Sequence, residues 1–176
     1  MPTQSIVKRP VIIPIGPSIA YIPLTQGQFA LIDSDDVYKV CNHNWCAEWG
    51  KTLKAYYAKR GTPQNRALYL HHVIASWDGF LTDHRSGNSL DNRKSNLRPA
   101  TKSQNAMNSR MTTLNKSGAR GVSWRKDIEK WRAVIIVGRK QRFLGHYETI
   151  EEASVAYRKA ASTLHGEFTR APVNQI

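Results

Sequence analysis

Cysteine is scarce in this chain: Cys41 and Cys46 are the only two in 176 residues. That argues against a disulfide framework and suits a reducing compartment. Long apolar runs are missing too. None approaches the roughly 18 residues that a membrane-spanning helix requires. The segment Lys8 to Ala20 has a faint secretory look, but Pro10, Pro14 and Pro17 break the helical stretch that a signal peptide needs. It reads as extended chain. Acid is in short supply: 13 Asp and Glu stand against 26 Lys and Arg, a net charge of +13 and a pI near 10.0. The shortage is localised. From Arg93 to Arg142 there are 14 basic residues and 2 acids, Asp127 and Glu129. A solubilising surface mixes both signs, so a one-signed stretch points to a polyanionic partner. The stretch does not form one amphipathic helix, which turns the reading from a membrane surface to nucleic acid.

At 176 residues the chain is long for one compact domain and short for two average ones. Two small domains and one elongated chain both fit. Residues 19–60 read as strands and turns: I19-A-Y-I-P-L-T25, G27-Q-F-A-L-I32, a charged turn D33-S-D-D36, aromatic pieces around Trp45, Trp49, Tyr56 and Tyr57, and a turn at G61-T-P-Q-N65. A67-L-Y-L-H-H-V-I-A75 fits a strand or a helix, because periodicity does not separate them. N96-L-R-P-A-T reads as a short strand. T101-K-S-Q104 is then a capping box, which predicts a helix from Lys102 that fades near Ser109. Residues 110–118 read as a linker.

Beyond Ala119 the pattern changes. R120-G-V-S-W-R125, K130-W-R-A-V-I-I-V137 and R142-F-L-G-H-Y147 read as three strands. T149-I-E-E152 is a second capping box. Behind it Ala153, Ala156, Tyr157, Ala160, Ala161 and Leu164 recur at helical spacing until Gly166. The expectation is an α+β chain: a β-rich N-terminal region, then a three-stranded antiparallel sheet plus one helix. The predicted domains are 1–109, with the core at about 66–109, a linker at 110–118, and 119–176.

The loop T82-D-H-R-S-G-N-S-L-D-N-R-K-S-N-L-R98 holds more chemistry than a turn needs. Gly, Asn and Ser serve the backbone, but an Asp-His pair does not. Phosphodiester hydrolysis requires a deprotonated water and relief of charge on the phosphate and the leaving oxygen. His84 can be the base, since an ordinary imidazole is largely neutral at pH 7. Asp83 offers a hard oxygen suited to Mg²⁺, and Asn105, in the first turn of the predicted helix, offers a second. Asn96 can donate and accept at once, and so clamp the ends of the loop.

These residues carry a resemblance. L70-H-H-V-I74, the run from Thr82 to Arg98, and S103-Q-N-A-M-N108 resemble the HNH homing endonucleases often carried by phage genomes, which have a ββα-metal active site. The resemblance implies His84 as general base, Asp83 and Asn105 as ligands of Mg²⁺ or another divalent cation such as Mn²⁺, and Asn96 as the structural asparagine. His71 matches a family histidine and is a supporting residue. His72 stands where the family usually has Arg, and R85-S-G87 stands in for its usual turn.

The segment 117–170 resembles a second family. S117-G-A-R-G-V-S-W124, K130-W-R-A-V134, F143-L-G-H-Y147 and T149-I-E-E-A-S-V-A-Y157 are similar to the DNA-binding domain of plant Apetala-two and ethylene-response factors (ERF). That implies a sheet laid in the DNA major groove. Strand alternation sends Ala133, Ile135 and Val137 to the helix and Arg132, Val134 and Ile136 outward. Val134 and Ile136 depart from the Arg-rich face of plant members and suit thymine methyl groups. The candidate DNA contacts are Arg98, Arg120, Arg125, Arg132, Arg139 and Arg142.

C41-N-H-N-W-C46 offers three zinc-type side chains without the fourth, so no zinc site is read there. His43, His146 and His165 are expected on the surface or in packing, and Trp45, Trp49 and Trp77 in the core. The combined reading is a site-specific, divalent-metal-dependent DNA endonuclease that nicks one strand of double-stranded DNA. If phage-encoded, it works in the cytoplasm of a bacterial host, with no membrane and no protein partner indicated. The rival is a DNA-binding regulatory protein with a vestigial nuclease site.

Overall fold

The computed structural model describes residues 8–16, 18–51, 54–109, 111 and 115–169. Parts of the expected linker at 110–118 lie outside them. The chain is α+β, built from small antiparallel sheets and short helices. It divides into two compact units, Met1–Ala100 and Thr101–Ile176. The division falls nine residues before the boundary read from the sequence, so the helix after Thr101 groups with the second unit.

In the first unit β1 (Ile19–Pro23) and β2 (Phe29–Asp33) form a hairpin. Gln26 and Gly27 both take positive φ at its tip, the conformation that matches the twist of paired strands. Alternation buries Ala20, Ile22, Ala30 and Ile32 on one face. The extended segment before it meets β1 through reciprocal backbone bonds between Ile12 and Tyr21. The charged turn expected at 33–36 is a 3-10 turn over Ser34–Asp36, and it leads into α1 (Val37–Val40). β3 (Cys46–Gly50), β4 (Ala55–Gly61) and β5 (Ala67–Tyr69) make a three-stranded meander. The ambiguous segment 67–75 proves to be strand and helix in succession, since α2 (Leu70–Ile74) follows β5 without a gap.

The core gathers Ile22, Ile32, Val40, Trp45, Leu70, Ile74 and Leu97. Trp45 is 1% exposed, with its indole N–H donated to the Val40 carbonyl. Trp77 packs against this core. Trp49 does not belong to it: it is 46% exposed, edge-on to Tyr56 near the end of the meander. Cys41 and Cys46 are free thiols, one after α1 and one opening β3.

β6 (Leu81–His84) and β7 (Leu97–Ala100) form the last hairpin of this unit. Asp83 lies directly opposite Arg98, and His84 opposite Leu97. The connecting loop 85–96 is tied to β2 rather than left in solvent. Leu31 donates to the Leu90 carbonyl at 2.8 Å and accepts from the Asn92 N–H at 2.7 Å, and Lys94 N–H reaches the Asp33 carboxylate at 2.8 Å. Ser89 adds a hydroxyl bond of 2.6 Å to the Tyr56 carbonyl.

The second unit opens with α3 (Lys102–Asn108), whose capping box at Thr101 and Gln104 is formed in both directions. β8 (Val122–Arg125), β9 (Lys130–Val137) and β10 (Lys140–Tyr147) form an antiparallel sheet in the order β10-β9-β8. α4 (Ile150–His165) follows a second complete capping box at Thr149 and ends at Gly166, φ +55°. Val122, Ala133 and Ala153 form the buried centre between sheet and helix. Small residues are needed here. Gly121, at φ +67°, leaves no room for a Cβ, which would run into the Tyr157 ring and the Val134 carbonyl.

Candidate active site and nucleic-acid interface

The hairpin β6–β7 buries an ionic and an aromatic group side by side. Asp83 is 4% exposed and His84 8%. Two turn bonds shape the exit from β6: Gly87 N–H to the His84 carbonyl and Arg85 N–H to the Asn96 carbonyl, each 2.8 Å. Asn96 then grips the loop with its side chain. It accepts from Ser86 N–H at 2.9 Å and donates to the Asp91 carbonyl at 2.7 Å. Both bonds go to backbone, so this asparagine sets the shape of the loop and touches no reacting group.

Asp83 is held by Arg98. The guanidinium places Nε and Nη2 each 2.7 Å from Oδ2, with side chains 4% and 5% exposed. This corrects one expectation. Arg98 is not an outward residue waiting for a phosphate. It is a buried counter-ion, and the register of β6 on β7 is the reason.

Burial pushes His84 below the ordinary histidine range, against the opposing pull of the Asn92 hydrogen bond and of the Asp83 and Asp91 charges. The net effect favours the neutral ring that a general base requires. Asp91 is itself drawn upward by burial and further downward by the Arg93 fork, at 2.9 and 2.7 Å.

His71, on α2, stands edge-on to His84 with ring centroids 5.2 Å apart, and stacks on Tyr69 at 5.6 Å. Burial first, then the neighbouring His84 and His72, lower His71 from 6.5 to about 3. The unfolded chain therefore binds a proton that the folded chain refuses. Stability from this ring is complete above its unfolded value of 6.5 and is lost as pH falls towards 3. Replacing His71 with Phe is expected to flatten the fall in melting temperature between pH 6.5 and about 5. An unchanged slope in that window, read by scanning calorimetry, contradicts the neutral buried ring.

Asn105 lies in the first turn of α3 and belongs to the second unit; its backbone N–H bonds the Thr101 carbonyl at 2.9 Å. Among the described residues no three His, Cys, Asp or Glu side chains converge as a metal site. Asp83 offers one carboxylate, a hard oxygen of the kind that divalent cations such as Mg²⁺ accept.

In the second unit the face of the sheet turned away from α4 carries Ser123 and Arg125 from β8, Lys130, Arg132, Val134 and Ile136 from β9, and Gln141, Phe143 and His146 from β10. A bulge between Phe143 and Gly145 shifts the alternation of β10, which brings His146 onto the same face as Phe143. The Arg132 guanidinium lies 5.9 Å from the Phe143 ring.

The six arginines part company. Arg132 stands on the open face. Arg125 stands there too, forked onto Asp127 at 2.8 and 2.6 Å in an exposed pair that costs little to exchange. Arg139 occupies the β9–β10 turn at φ +65°. Arg142 is exposed but pairs in register with Ile135, on the helix side of the sheet. Arg120 is spent internally: its guanidinium donates to the carbonyls of Met107 and Ser109 and so closes the end of α3. Sequence reading missed Lys130, Phe143 and His146 on this face. It also missed Asn92 beside His84, for which the only signal was an asparagine in excess of what the turns need.

Among the described residues no helix is long and apolar enough to cross a membrane. No family model matches the chain, and no solved structure matches it. It is similar to Protein 3.8 of Escherichia phage T7, 35% identical over 92 residues that span 52% of this chain and 75% of that protein. It is also similar to a protein of Acanthamoeba polyphaga mimivirus named as an uncharacterized HNH endonuclease, L560: 29% identical over 164 residues, 86% of this chain and 80% of that one. The second likeness is long enough to include residues of both compact units.

Proposed function

We propose that this chain, which belongs to the family of Protein 3.8 of Escherichia phage T7, is a divalent-metal-dependent DNA endonuclease of the HNH homing type that hydrolyses a phosphodiester bond and nicks one strand. The observation that carries the reading is the buried Asp83–His84 pair at the end of β6, on a loop clamped by Asn96 and backed by β2. The likeness to a viral protein named as an HNH endonuclease supports it.

His84 takes the proton from the attacking water. Its burial keeps the ring neutral and ready to accept. Asp83 would hold the cation, Mg²⁺ or Mn²⁺, and when bound that ion supplies charge relief at the scissile phosphate and the leaving oxygen. Arg98 orients the Asp83 carboxylate from the opposite strand. His71 walls the ring of His84 on one side. One such site in a monomer cuts one strand, so the expected product is an open circle.

The second unit supplies affinity and register as an ERF-type DNA-binding domain. Its open sheet face combines cations with the apolar Val134, Ile136 and Phe143. Phosphates are met by the cations and thymine methyl groups by the apolar side chains. Affinity is expected to fall steeply with added salt, because each lysine or arginine on a phosphate releases a counter-ion.

The deciding experiment incubates the protein with a supercoiled plasmid library of varied inserts, with Mg²⁺ and with a chelator. Open circles that form with Mg²⁺ only are the expected result. DNA binding with no metal-dependent product across the library means instead a DNA-binding regulatory protein with a relic site.

A further inference from the structure

Asn92 is buried, at 1% exposed. A buried primary amide must place two donors and one acceptor. Its Nδ2 donates to the Leu90 carbonyl at 3.0 Å. A carbonyl accepts only, so the nitrogen of the amide must face Leu90 and the oxygen must face the other way. That oxygen lies 3.4 Å from Nε2 of His84. An amide oxygen also accepts only, and the contact is satisfied when Nε2 carries a proton. In a neutral imidazole the lone pair then resides on Nδ1.

We infer that Asn92 is a positioning residue, which holds His84 as the Nε2–H tautomer and so makes Nδ1 the atom that accepts the proton from water. This rests on the reading of His84 as the general base. The neighbouring asparagine does a different job, since both side-chain bonds of Asn96 go to backbone.

The hold on Asn92 comes from the N-terminal hairpin. Leu31 of β2 bonds the loop on both sides of Asp91, through the Leu90 carbonyl at 2.8 Å and the Asn92 N–H at 2.7 Å. Leu31 and Asp91 form a parallel bridge. The strand that fixes the Leu90 carbonyl therefore also fixes the backbone from which the amide projects. The separation of 3.4 Å is at the long end for a hydrogen bond, as catalytic contacts often are before substrate binds.

The test uses the full chain, metal-free and labelled with ¹⁵N-histidine, with the His84 signals assigned by their loss in His84→Ala. Wild type is expected to show a protonated Nε2 and an unprotonated Nδ1. In Asn92→Ala that preference is expected to disappear, and kcat to fall by about ten- to a hundredfold with KM little changed. Asn92→Asp keeps an acceptor in place and is expected to retain the tautomer. If wild-type His84 carries its proton on Nδ1, the inference is wrong, and that spectrum needs no variant to fold. It is equally wrong if Asn92→Ala leaves both the tautomer and kcat unchanged. If wild type shows the Nε2–H tautomer and Asn92→Ala loses it, while no DNA is cut in any library, the hold of Asn92 on the ring stands and the nuclease reading falls.

Discussion

Replacing His84 with alanine is expected to slow DNA cleavage by roughly a hundred- to ten-thousandfold, the usual worth of a positioned general base. Binding of DNA should survive, because the cations proposed to meet phosphates stand elsewhere, on the open sheet face of the second unit. The fold should survive as well. The ring is 8% exposed and its hydrogen-bond contact with Asn92 measures 3.4 Å, so its loss leaves a small gap beside His71 rather than an unpaired charge. The pH dependence follows from the same burial. A base whose proton affinity is lowered stays neutral further into acid, so the acid limb of the wild-type rate should lie below the ordinary histidine value of 6.5. The measurement is single-turnover cleavage of a mapped site, together with a binding curve for each protein. Equal rates for wild type and His84→Ala would remove His84 from the chemistry.

Replacing Arg98 with leucine is expected to cost about 3–5 kcal/mol of stability, the usual result of breaking a buried ion pair from one side. Two of the three guanidinium nitrogens sit 2.7 Å from one oxygen of Asp83, and the side chains are 4% and 5% exposed. Removing the arginine takes this counter-ion from a carboxylate that is 4% exposed. The double variant Arg98→Leu with Asp83→Leu should recover much of the loss, since apolar groups of similar volume replace a buried pair at little cost. Urea unfolding of the single and double variants measures the difference. A loss below about 1 kcal/mol in the single variant is what an exposed pair would give, and would show that Asp83 is not held in this way. The distinction bears on function. A carboxylate locked by Arg98 is oriented before any cation arrives, which is how preorganised sites limit the cost of binding.

Much of the architecture was legible in the chain because its signals are local. A capping box closes within four residues, so Thr101 and Thr149 mark the starts of α3 and α4 without reference to anything distant. Strand alternation placed Ala133 and Ile135 inward and Ile136 outward, and their burial follows that pattern. Asn96 announced a clamp by its type and position, and its bonds stay within the loop it closes. The two shortest helices were harder. Neither α1 nor α2 is long enough for a helical period to repeat, and α2 begins where a strand ends.

What the sequence by itself determined, then, is the capped helices α3 and α4, the adjacency of Asp83 and His84 and the basic stretch between Arg93 and Arg142. Only the tertiary structure decided what faces what. Arg98 reads as one more cation in a basic run, and becomes the partner of Asp83 only because the register of β6 on β7 sets them opposite each other. Arg120 looks like a DNA contact until its guanidinium is found closing α3. Arg142 changes sides because the register brings it opposite Ile135, and a bulge later in β10 brings His146 round to the open face. Asn92 matters because β2, some sixty residues earlier in the chain, bonds the loop beside it. The physical reason is shared by all of them. Register, bulges and long-range backbone bonds depend on how loops close and which faces are buried, and a slip of one residue exchanges the two faces of a strand. No local pattern of residues carries that information.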